Sequence, residues 1–426
     1  MTQINSYTNK IKTILPQMVE WFNVISTLYL IASLILSFEY QRIALYFYFT
    51  STILDIIVNR RYQNVVWEKK KWIFVTMVSF YLCIWIWHIF ENCNSSIFFH
   101  STDIKLPFLI FGLLGIFTNV NPKIKISHIA ITMLLSSIIT TLYIIYDNYV
   151  FISENIKTLD DFRYNISILR GISIKTTHIE SNVYMNCTMA MCFIASLHNT
   201  KKLTKTLLYI GILVIYATIS LSEGRAGFIT VNLLLIIFIT YTIYKHYPKA
   251  IAPIIILCII VSFIGVSQHN RLQLDIIKKE PRILIWKQAL KLIKERPIMG
   301  YGVCDGREKF VTECLNNEEL VNNFWNNWLK KHPNYQTHRF HCHNVFIEST
   351  LEFGILGFLL TLGLFILPII LTKHKRQAHL SLFMLIFFIQ SIFESFTYHF
   401  QPMLFCLIIF IFIKSNSNLF NDYQKC

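Results

Sequence analysis

Charged residues are scarce in this sequence, and acidic ones scarcest: 24 Asp and Glu stand against 39 Lys and Arg, together 15% of 426 residues. A globular domain carries about 25%, so a soluble fold is excluded for a chain that is 54% hydrophobic with a mean hydropathy of +0.48. The long apolar runs lack the alternation of polar and apolar residues that barrel strands require, which leaves helices. No soluble basic segment is present, so the net charge of +15 gives no reason to invoke nucleic acid; anionic lipid headgroups are the simpler partner. Neither a clear internal repeat nor charges deep in broken helices are evident, and a transporter of an anionic solute would want one of these. No low-complexity linker divides the chain, so residues 1–426 are expected to form one integral membrane unit. The first apolar run lacks a small-residue cleavage site, so the first helix is expected to act as its own insertion signal.

What is present is a series of apolar runs long enough to cross about 30 Å of hydrocarbon. They lie near 21–38, 43–58, 72–90, 106–120, 128–150, 183–198, 206–222, 227–244, 250–267, 345–371, 380–396 and 402–414, which predicts about twelve transmembrane helices in an all-α fold. Alternate connecting segments carry 19 Lys and Arg, among them Arg60, Arg61, Lys69, Lys70, Lys71, Lys201, Lys202 and Arg376. By the positive-inside rule both termini are expected in the cytoplasm.

Two segments on the other side are long, 151–182 and 268–344. The second holds 13 Lys or Arg against 8 Asp or Glu. Loops of this length are exempt from the topology rule, so their charge points to an anionic ligand outside the cytoplasm. Segment 268–344 is expected to fold as a lid. "PRILIWKQALKLIKERP" has Ile283, Trp286, Ala289, Leu290 and Ile293 at helical spacing, with Lys287, Lys291 and Lys294 on another face. The glycines of "IMGYGVCDG" predict an irregular turn, and Leu320, Phe324, Trp325 and Leu329 a second helix after it. Cys304 and Cys314 fall in this lid, where an oxidising compartment would allow a disulfide between them.

Three places carry candidate chemistry. Arg225, flanked by Gly224 and Gly227 in "SEGRAG", sits in a turn between two spans, either as a hairpin anchor or as a ligand-binding cation that the glycines let approach closely. Arg282 opens the amphipathic lid helix, either as part of a solvated basic face or as a bidentate partner for phosphate. The third is "HRFHCHN", where His338, His341 and His343 precede a long apolar run. With Cys342 this H-x-x-H-x-H pattern is a conceivable zinc site, though its spacing matches no familiar motif. Surface histidines are the plainer reading. The sharper one takes His343, nearest the membrane and followed by Asn344, as a general base, since imidazole titrates near neutral pH. Glu348 and Glu352 lie about 140–180° round the helix from His343, so they should answer cations elsewhere.

In order, "SEGRAG", then Arg282 with Trp286 and "ERPIMGYG", then "HNVFIESTLEFGILG" resemble the bacterial O-antigen ligase and O-antigen polymerase superfamily over Ser222 to Gly357. The resemblance implies a GT-C-like, metal-independent glycosyltransferase without a cofactor, in the bacterial inner membrane with a periplasmic active site. Its donor would be an undecaprenyl-pyrophosphate-linked glycan. Arg225 and Arg282 would bind the pyrophosphate, His343 would be the base, and Asn344, Gly224, Trp286 and Glu352 would support them. The acceptor would be a lipid A-core sugar hydroxyl for a ligase, or a second lipid-linked glycan for a polymerase. Upstream, Arg163, Arg170 and His178 are weaker candidates.

Overall fold

The computed structural model describes residues 2–36, 38–91, 95–147, 153–154, 178–198, 201–221, 224–246, 281–322, 340–372, 374–395 and 401–415. Among these there are fourteen helices and no strand. They are α1 (Thr2–Ser33), α2 (Phe38–Val58), α3 (Lys71–His88), α4 (Ser95–Phe117), α5 (Ile126–Asp147), α6 (His178–His198) and α7 (Lys202–Leu221). There follow α8 (Arg225–His246), α9 (Pro281–Glu295), α10 (Val303–Leu315), α11 (Glu318–Leu320), α12 (Val345–Ile370), α13 (His374–Phe393) and α14 (Gln401–Lys414).

Eight of the described helices, α1, α3, α4, α5, α7, α8, α12 and α13, are long and apolar enough to cross a membrane. The chain is a multi-pass membrane protein. The expected spans recur as helices, with 250–267 lying outside the described residues. Two starts moved most: α1 begins at Thr2 rather than near 21, and α4 at Ser95 rather than near 106, where its charges are answered. Asp103 meets Arg42 of α2 at 3.1 Å and Lys105 meets Glu352 of α12 at 3.0 Å.

The helices sort by what covers them. On α7, Leu203, Leu207, Ile210 and Leu213 are exposed, as lipid-facing side chains should be. Helix α6 is buried at every residue from Ser181 to Ser196, and α14 from Gln401 to Ile413. Lipid tails are as apolar as leucine, so helix association draws on close packing and interhelical hydrogen bonds. Helix α6 has both: Tyr184 Oη donates to Ile31 O at 2.8 Å, and Asn186 Nδ2 reaches Gly227 O of α8 at 3.3 Å. Gly227 itself is needed for this contact, since a Cβ there would lie 2.7 Å from Asn182 Nδ2. The close approach seen at Gly227 is to helix α6.

One end of the bundle carries the lid. Helix α9 buries Ile285, Ala289 and Leu292 and leaves Ile283 and Leu290 exposed, so the docked face is rotated from the one the apolar spacing suggests. It packs with Tyr301, Phe310, Val311, Cys314, Leu320, Phe340, Cys342 and Leu351 in a core separate from that of the bundle. The irregular turn is shorter than expected, because helix α10 starts at Val303 within "VCDG". The second helix expected around Phe324, Trp325 and Leu329 lies outside the described residues.

That turn is tied to a break in α12. Gly354 has φ +62°, which interrupts the helix and frees backbone groups that a membrane cannot satisfy. The turn supplies the partners: Tyr301 N donates to Leu351 O at 2.9 Å, Gly302 N to Glu352 O at 2.7 Å, and Ile355 N to Pro297 O at 3.0 Å. The approach admits no side chain, since a Cβ on Gly354 would sit 2.0 Å from Ile298 O and one on Gly300 (φ +66°) 2.6 Å from Glu352 O. "PIMGYG" and "LEFGILG" are thus two halves of one joint.

Cys304 is disulfide-bonded while Cys314 is a free buried thiol, so the two do not pair with each other. Both lie on α10, where ten residues of helix separate them by about 15 Å, far beyond disulfide reach. Burial pushes the Cys314 thiol up to about 12.

Candidate active site

His343 sits at the junction of lid and bundle. It has φ +51°, an unusual left-handed conformation for a residue with a side chain. Asn344 follows as the N-cap of α12, accepting from Phe346 N and Ile347 N at 3.0 Å each. Its Nδ2 donates to Ile392 O at the end of α13, also at 3.0 Å. One side chain therefore starts one helix and fastens it to the end of another.

The fastening brings His343 to Glu394, the residue after α13. His343 Nδ1 lies 2.8 Å from Glu394 Oε2, and Arg282 of the lid bonds Oε1 of the same carboxylate. Glu394 is 4% exposed, His343 25% and Arg282 26%. A buried carboxylate shared by a cation and an imidazole is a paired charge, the form in which burial is tolerated. From the lid side, Trp286 Nε1 donates to Cys342 O at 2.9 Å and holds the loop. His341 lies beside His343 with ring centroids 4.1 Å apart, and its Nδ1 accepts from His343 N at 3.2 Å. It also lines a cavity with Arg307 and Phe310 of lid helix α10.

A second charged cluster lies beneath this one. Lys105 and Glu352 form an ion pair at 1% and 5% exposure, and the Lys105 ammonium also stands 5.8 Å from the Phe353 ring centroid. Glu348 and Arg307, each 4% exposed, share a small cavity with Glu352 and His341. Neither acid of α12 pairs with His343, in line with their position round the helix. Glu91, just beyond α3, accepts from Cys304 N at 3.1 Å and so caps lid helix α10. Burial pushes its carboxyl up to about 7 against the opposing effect of that hydrogen bond.

The structure brings Arg282, Trp286, His343 and Asn344 together and sets Glu352 apart on Lys105. Arg225 is the first residue of α8 and Gly224 precedes it, with Phe228 N donating to Gly224 O at 2.9 Å. The N-terminal amides of a helix of this length favour an anion. Arg163, Arg170 and His338 lie outside the described residues, and His178 begins α6. Sequence reasoning missed Glu394, Lys105, Arg307 and Glu91. For Glu394 a signal existed: it is an acid inside the apolar segment "QSIFESF", and such acids are normally paired and functional.

The arrangement is that of a membrane-embedded helical protein with a basic lid closing over an imidazole held by a carboxylate. Residues 209–362 match the family model described as O-Antigen ligase, so that part of the chain is similar to this family. No curated protein matches the chain.

Proposed function

We propose that this protein is an O-antigen ligase, a GT-C-like glycosyltransferase of the bacterial inner membrane with both termini cytoplasmic. It moves a glycan from undecaprenyl pyrophosphate to a lipid A-core sugar hydroxyl on the periplasmic face, with inversion and without a metal. The observation that carries this reading is the shared carboxylate: Glu394 holds Arg282 and His343 side by side at the lid–bundle boundary. A lipid-borne pyrophosphate and a water-borne hydroxyl must meet at such a boundary.

With Nδ1–H donating to Glu394, His343 Nε2 keeps its lone pair for the acceptor hydroxyl. Glu394 fixes the tautomer and steadies the imidazolium as it forms. The hydroxyl oxygen bonds to the anomeric carbon, its proton passes to Nε2, and the bond from that carbon to the pyrophosphate oxygen breaks. Arg282 and Arg225 balance the charge that develops on the departing lipid pyrophosphate. The leaving group is already good, so no energy source is needed.

The test is reconstitution in lipid with a defined undecaprenyl-pyrophosphate glycan and, separately, a lipid A-core acceptor or a second lipid-linked glycan. Transfer to the core acceptor is expected. Transfer only to the second glycan would make the protein a polymerase, and transfer to neither would sink the enzyme reading. Glu394→Gln should lower kcat by roughly the 10²-fold that general-base help is worth at its smaller end, with KM for the donor little changed.

A further inference from the structure

We propose that His341, His343 and Glu394 form a binding site for a zinc-type dication, and that the bound ion switches the enzyme off. The switching half rests on the reading of His343 as the base; the binding half does not.

One potential ligand atom from each of these residues lies within 4.8 Å of the other two. Two imidazole nitrogens and a carboxylate oxygen are the donor set that zinc takes in open sites, at about 2.0–2.2 Å, with water in the fourth position. Zinc binding requires the side chains to close from the present spacing of up to 4.8 Å. His343 is only partly buried, so an ion can enter from its side. The carboxylate is held from behind, since Arg282 occupies Oε1 while Oε2 faces His343. An outer partner of this kind orients a ligand for the metal.

This is not the site that the H-x-x-H-x-H pattern suggests. Cys342 is a free thiol buried in the lid core and is not among the ligand atoms that cluster here. Its place is taken by Glu394, 51 residues from His343 along the chain. The neighbouring Arg282 cation opposes a dication, so binding should be reversible and weaker than in a structural zinc site.

Occupancy blocks catalysis by a tautomer change. In the ion-free protein the neutral His343 ring carries its proton on Nδ1 and its lone pair on Nε2. An ion on Nδ1 takes the lone pair there and leaves the ring's single proton on Nε2. The proton count is unchanged, but the nitrogen facing the acceptor becomes a donor and cannot accept a proton.

The probe is zinc ion titrated into the full-length protein in lipid nanodiscs, followed by calorimetry and by metal content after desalting. His341→Asn is the informative variant, because it removes the imidazole ligand while its side-chain oxygen can take over as acceptor for His343 N. Wild type should hold one more zinc per chain than His341→Asn, or bind it at least tenfold more tightly. Equal binding by the two proteins overturns the site, whatever the glycan assay shows. In the glycan assay, zinc should inhibit wild type with the midpoint of that binding, a chelator should reverse it, and whatever rate His341→Asn retains should be insensitive to the same zinc concentrations. Zinc bound at the site of an active protein without inhibition overturns the switch.

Discussion

The two ends of the helical bundle treat charge differently. At the end away from the lid, Arg61 and Lys123 pair with Glu20, and three other cations answer the backbone. Lys71 Nζ donates to Ile116 O at 2.7 Å and Lys414 Nζ to Thr118 O at 2.6 Å, both at the end of α4. Arg376 donates to Phe412 O at 3.1 Å and Ser415 O at 2.5 Å, at the end of α14. Carbonyls at a helix C-terminus have no partners within the helix and carry partial negative charge. These basic residues thus give structural closure as well as a topology signal. At the lid end, side chains answer side chains: Arg282 and His343 on Glu394, and Lys105 on Glu352. A cation on a carbonyl has a fixed task, whereas an imidazole on a carboxylate can gain and lose a proton. The difference marks where chemistry is possible.

The comparison can be broken by removing one group at a time. The largest effect is expected from His343→Ala, which should lower glycan transfer by about 10²–10⁴-fold with insertion and thermal stability near wild type. Full transfer by that variant would remove His343 as the base. Next comes Lys105→Met, which strands Glu352 in a buried setting and should cost about 3–5 kcal/mol of stability; a second change, Glu352→Gln, should recover much of it. Arg376→Met should cost about 1.5–3 kcal/mol through its lost bonds to carbonyls and leave transfer per folded molecule unchanged. A collapse of transfer there would erase the distinction between the two ends.

The last effect is a pH dependence, spread over several pH units. The Glu91 carboxyl is raised from 4.5 to about 7 in the folded protein, so between those values the folded state holds a proton that the unfolded state has released. Its contribution to stability is therefore full below about pH 4.5 and is lost as pH rises through about 7. In Glu91→Gln, melting temperature followed from pH 4 to 8 should show less of this decline than wild type, and an unchanged slope would assign the decline to other groups.

Much of the bundle was legible because apolar run length and basic loops respond to the membrane itself. The N-cap at Asn344 and the lid helix from Pro281 to Glu295 were legible for local reasons, capping and amphipathic spacing. Glycine-rich "IMGYGVCDG" read as one long turn, since nothing local reveals that its first part completes the broken backbone of α12 while "VCDG" opens α10. The face of α9 was misjudged because Ile283 and Leu290 are apolar without being buried, which is ordinary beside a membrane. Cys304 and Cys314 are close in number, but a rigid helix keeps them apart.

The sequence by itself determined that this chain enters a membrane many times, which end of its helices collects cations, and that His343 stands at an apolar boundary with an arginine-bearing lid before it. These follow from composition and from spacing within single segments. Only the tertiary structure decided that Glu394 joins Arg282 to His343, that Glu352 belongs to Lys105, and that Gly354 and Gly300 share one joint. Each of these unites residues between 51 and 247 positions apart, and no local pattern records which distant segment will supply the partner of a buried charge or a broken hydrogen bond.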